Sequence, residues 1–138
     1  MKKLQWLASL ILFLPMVVMA DIVVVVDKDS PITSISQNQI RQVYLEGGGK
    51  VDGVYVKPLD LPEQDKLRDR FYQDTVGKTP AQMKSYWARM IFTGRGVPPR
   101  SVSGVSAMKV MLENNPELIG YLPANQVSGN LRVLHQIR

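Results

Sequence analysis

The sequence predicts a single layered α/β domain. Three observations carry that expectation. A continuous β-branched run, Ile22 to Val26, reads as a strand buried on both faces. Strand and helix signals alternate along the chain, which points to helices layered on a sheet. The length also suits one core: taking residues 1–20 from the 138 leaves 118, enough for one domain without disulfides or metals.

The first run lies between Asp21 and Asp27-Lys28-Asp29-Ser30-Pro31, so it is expected inside a sheet. Ser36 and Gln39 have the spacing of a capping box, and Ile35 and Ile40 sit where a hydrophobic staple clasps a helix start. A helix over 36–46 follows, with Ile40, Val43 and Tyr44 on one face. Gly47-Gly48-Gly49 ends it, because glycine tolerates the left-handed turn after a helix. No Lys-Ser/Thr pair follows these glycines, so a phosphate-cradling loop is disfavoured. Val54 to Leu61 alternates up to Pro62 and reads as a second strand. Residues 63–75 group Leu67, Phe71 and Tyr72 amid Asp and Arg, predicting a surface helix that closes at Gly77.

Thr79-Pro80-Ala81-Gln82 supplies a cap, a first-position proline and a glutamine at the third position. The helix it opens aligns Met83, Trp87, Met90 and Ile91 in a stripe that reads as core. Thr93 to Pro99 is a loop by composition. Ser101 or Ser103 is expected to cap a helix through Val105, Met108, Met111 and Leu112, stopped by Asn114-Asn115-Pro116. Leu118 to Leu122 and Leu131 to Leu134 are short strands. The order is β, α, β, α, α, α, β, β.

The ends bound where the domain works. Lys2 and Lys3, an apolar run from Trp6 to Leu14, and Val18-Met19-Ala20 form the three parts of a signal peptide over 1–20, with cleavage before Asp21. A membrane anchor fits less well, since the apolar stretch is interrupted by Pro15 and falls short of the ~20 residues a span needs. The periplasm is the expected location of a domain over 21–138. The chain has no Cys, which excludes disulfides, thiolate metal sites and a lipid acceptor. Without Lys2 and Lys3, 15 Lys+Arg face 12 Asp+Glu, a net of +3. That bias is too mild for a nucleic-acid binder. His135 is the one histidine, and no serine has a base at a recognisable spacing, so no catalytic residue, metal or cofactor is assigned. Asp60, Glu63 and Asp65 read as partners of a helix dipole rather than as a cation site.

Gln42-Val43-Tyr44-Leu45-Glu46-Gly47, Arg68 to Phe71, Tyr86-Trp87 leading to Phe92-Thr93-Gly94-Arg95-Gly96 with Pro98, and Asn115-Pro116 with Ile119-Gly120-Tyr121-Leu122 occur in that order. Over about residues 22–125 this series resembles the substrate-binding proteins of phosphate ABC transporters. The resemblance implies a single lobe of the periplasmic-binding-protein type: a three-layer α/β sandwich with a mixed sheet. The full family closes two such lobes around phosphate, which it binds through a Ser-Gly-Thr turn preceded by Arg and Asp. Here the corresponding stretch is Asp60-Leu61-Pro62-Glu63-Gln64-Asp65-Lys66, in which three carboxylates would repel an oxyanion at a helix start. The candidate ligand residues are instead Arg95, Arg100, Ser101, Ser103 and Gly104. Two guanidinium groups give bidentate hydrogen bonds, and the amides of a helix start add to them. The same residues also read as a loop and cap with solvated arginines. Two functions follow: a binding module for phosphate or another oxyanion, or a non-catalytic accessory protein that binds an envelope complex, sensor, porin or transporter.

Overall fold

The computed structural model describes residues 9–15 and 20–138, so most of the expected signal segment lies outside the described residues. Its elements are β1 (Ile22–Asp27), α1 (Gln37–Glu46), β2 (Gly49–Val51), β3 (Val54–Asp60), α2 (Lys66–Thr75), α3 (Pro80–Phe92), β4 (Arg100–Ser101), α4 (Val105–Leu112), β5 (Leu118–Pro123) and β6 (Leu131–Ile137). The sheet runs β2-β3-β5-β1-β6, with β4 added beside β3. β1 is antiparallel to β5 on one side and to β6 on the other, whereas β3 is parallel to both β5 and β4. The sheet is therefore mixed. All six residues of β1 are buried, as its unbroken β-branched run requires.

Helices cover both faces. On one, Met108 and Leu112 of α4 lie over Gly120 of β5, where an added Cβ would come within 2.6 Å of the Met108 sulfur. On the other, Phe71 of α2 stacks on Tyr121 of β5, with ring centroids 3.9 Å apart, and Tyr44 of α1 meets both rings edge-on. These three layers hold one buried core.

The local signals account for most boundaries. Ser36 and Gln39 form both bonds of the capping box, as do Thr79 and Gln82. Gly47 ends α1 at φ 70° and donates its N–H to the Val43 carbonyl. Five expectations need correction. The stripe on α3 buries Met83 and Trp87 but not Ile91, which is 58% exposed. The glycines after α1 also open β2, which forms a hairpin with β3 through Asp52 and Gly53, both at positive φ. That pair is the turn whose twist matches a hairpin. α2 begins at Lys66 rather than 63, because the Asp65 side chain accepts from the Leu67 N–H and acts as the cap. Nor is α2 a surface helix: Arg68, Phe71, Tyr72 and Thr75 are buried along one face. Finally, neither Ser101 nor Ser103 caps α4; Gly104 holds that position without a side-chain bond, and Ser101 belongs to β4.

Candidate functional site

β3 and β4 run side by side in parallel, and the residues at their carboxyl ends, Asp60 and Ser101, are cross-strand partners. In α/β sheets this end of parallel strands is where ligands bind. A cleft of about 440 Å³ opens there, bordered by Asp60, Leu61, Glu63 and Arg68, by Lys84, Trp87 and Ile91 of α3, and by Pro98, Pro99 and Ser101.

Its buried side is a saturated carboxylate. Asp60 Oδ1 accepts from the Tyr121 hydroxyl at 2.5 Å and the Leu61 N–H at 2.9 Å. Oδ2 accepts from the Tyr72 hydroxyl at 2.5 Å and from Arg68 Nε at 3.3 Å. Four donors use the roughly four lone-pair directions of a carboxylate, so Asp60 has none left for a ligand. Burial, then the charge of Asp60, pushes the Tyr72 and Tyr121 hydroxyls well above the ordinary tyrosine range. Burial alone would lower the Arg68 pKa, but the Asp60 charge and the neighbouring hydroxyls outweigh it and raise it. Arg68 borders the cleft, with its guanidinium carbon 4.9 Å from the centre of the Tyr72 ring.

The three carboxylates expected to repel an oxyanion thus separate. Asp60 is compensated by Arg68, Asp65 caps α2, and Glu63 alone is an exposed acid bordering the cleft. Trp87 contributes a different feature: it is 7% exposed, and its buried Nε1–H has no acceptor among the described residues.

Of the candidate ligand residues, Ser101 borders the cleft and joins Asp60, Arg68 and Lys84 there. Arg95, Arg100, Ser103 and Gly104 are not among the bordering residues. Arg100 is exposed and precedes Ser101 in β4, so their side chains leave opposite faces of the strand. Arg95 lies in the exposed loop after α3. Arg68 and Lys84 are the cations that sequence reasoning missed. Arg68 was legible from its spacing, since 68, 71, 72 and 75 form one helical face with Phe71 and Tyr72. Among the described residues, no group of three or more His, Asp or Glu side chains is placed to hold a metal.

No protein-family model and no curated protein matches the sequence. Solved structures do match. One is an ABC-type phosphate transport receptor from Vibrio cholerae, at TM-score 0.62 and 13% identity, aligned over 84% of this chain and 46% of the receptor. Another, from Clostridium perfringens, is described as a phosphate ABC transporter substrate-binding protein with bound phosphate. It aligns at TM-score 0.64 and 17% identity over 83% of this chain and 44% of its own. The chain has a periplasmic-binding-protein fold. It spans less than half the length of either receptor. At these identities the likeness reaches the fold and stops there.

Proposed function

We propose that this chain is a non-catalytic periplasmic binding module that holds phosphate or a similar oxyanion in the cleft at the ends of β3 and β4. In this reading, residues 1–20 are a signal peptide cleaved before Asp21. The observation that carries it is the meeting of Arg68, Lys84 and Ser101 on one cleft, on a fold shared with phosphate receptors. Arg68 supplies terminal N–H groups, Lys84 a mobile ammonium and Ser101 a hydroxyl, a donor set suited to oxyanion oxygens. The chain spans less than half of either receptor, and in this reading the cleft is one wall of the binding site. Calorimetric titration of the full chain with phosphate and sulfate tests the reading. Binding that weakens about tenfold in Lys84→Ala is expected, since hydrogen bonds to charged groups contribute about 1.5–3 kcal/mol. Absence of heat with every oxyanion would sink it.

One observation favours a second reading, an envelope accessory protein without a small ligand. Glu63 borders the cleft, and Asp60 offsets the charge of Arg68. The same titration separates the two.

A further inference from the structure

We propose that the exposed apolar side chains Ile91, Phe92 and Val97, beside the cleft, dock an acidic segment of a protein partner that carries apolar side chains. The inference rests on the protein-binding reading, for which it names a surface and the chemistry of the partner, and does not depend on phosphate. Ile91, Phe92 and Val97 are 58%, 92% and 73% exposed, and Ile91 also borders the cleft.

Their exposure is built in. Gly94, at φ 67°, donates to the Ile91 carbonyl and Arg95 N–H to the Met90 carbonyl, a Schellman cap that fixes the chain leaving α3. The loop is then clamped from beneath. Gly96 packs so closely on Met90 and Trp87 that an added Cβ would stand 3.1 Å from the Met90 methyl. Gly47 leaves no space for a Cβ beside the Val97 carbonyl, and the Tyr86 hydroxyl ties α3 to the Leu45 carbonyl at 2.6 Å. A rigid scaffold holding out three apolar side chains has already met much of the ordering cost of binding.

Charge identifies the partner. From Thr75 to Leu112 the chain contains no Asp or Glu but six cations: Lys78, Lys84, Arg89, Arg95, Arg100 and Lys109. The rest of 21–138 holds the other nine Lys+Arg and all 12 Asp+Glu. Lys84, Arg89, Arg95 and Arg100 form no salt bridge among the described residues. Arg89 stands one helical turn from Phe92, and Lys84 borders the cleft with Ile91, so these apolar side chains lie beside cations and complement an acidic, apolar segment. An anionic membrane would satisfy the charge and the exposed side chains. It would not reach into the concave cleft that Ile91 borders.

Panning a random peptide library against the full chain tests this, with Phe92→Asp as the counter-selection target. Enriched peptides are expected to combine Asp or Glu with Leu, Phe or Trp. Their affinity, by fluorescence polarisation, should fall at least about tenfold in Phe92→Asp and Arg89→Glu, and should decline with added salt. Basic or neutral enriched peptides, or equal binding to Phe92→Asp, would overturn the proposal. So would Phe92-dependent sedimentation with phosphatidylglycerol vesicles in place of peptide binding. Phosphate calorimetry on Phe92→Asp keeps the two hypotheses apart, because Phe92 does not border the cleft. An unchanged melting temperature confirms that this variant is folded.

Discussion

At the scale of the residue, Asp60 organises the cleft by being unavailable to it. Its two oxygens take protons from two tyrosines, one arginine and one amide, and those partners come from α2, β5 and the turn after β3. Removing a single hydroxyl leaves three donors in place. Tyr72→Phe and Tyr121→Phe should each cost about 1.5–3 kcal/mol in urea unfolding, the range for hydrogen bonds to charged groups. Asp60→Ala should cost more, about 3–5 kcal/mol, because Arg68 then remains buried without its counter-charge. The tyrosines also set an alkaline limit. Tyr44, Tyr72 and Tyr121 keep their protons to higher pH when folded than when unfolded. Their contribution is therefore complete below the unfolded tyrosine pKa of about 10 and declines above it, as the unfolded chain begins to release protons. Melting temperature should hold up to about pH 10 and then drop, with a shallower drop in Tyr72→Phe. None of this was legible in the sequence, since Tyr121 lies 61 positions from Asp60 and only the sheet brings them together.

Among the elements, what could be read was what is encoded within a few residues. Both capping boxes join positions three apart, and both formed as their spacing predicts. Thr79→Ala should destabilise by about 1 kcal/mol, the usual worth of a cap, measured by chemical denaturation. The β2–β3 hairpin is equally local, but its turn is carried by Asp52-Gly53 and lies close behind the Gly47-Gly48-Gly49 run that ends α1, so the two signals merge in the sequence. β4 is a different case: a strand of two residues has no period to detect, and its place is fixed by register against Leu59 and Asp60. That is why Ser101 was read as a helix cap while it stands on the cleft. Gly47→Ala should be far more damaging than the cap variant, since it combines left-handed strain with a clash against the Val97 carbonyl. Melting temperature would register the loss, and the exposed Ile91, Phe92 and Val97 would lose their support.

Across the whole molecule, the fold class was visible because strand and helix signals alternate, and the structure added how the sheet is ordered. The net charge of +3 over residues 21–138 conceals its distribution, for a sum cannot show that acids and bases occupy different stretches of chain. The ordering of the sheet has a consequence in time. β1 is made first, yet its neighbours β5 and β6 are the last strands synthesised. A variant ending at Asn130 should therefore stay unfolded by circular dichroism and be digested rapidly by protease, although it lacks only β6 and Arg138. Until β5 and β6 are made, β1 has nothing on either side to pair with. A chain built in this order forms its sheet late, because its earliest strand waits for both of its neighbours.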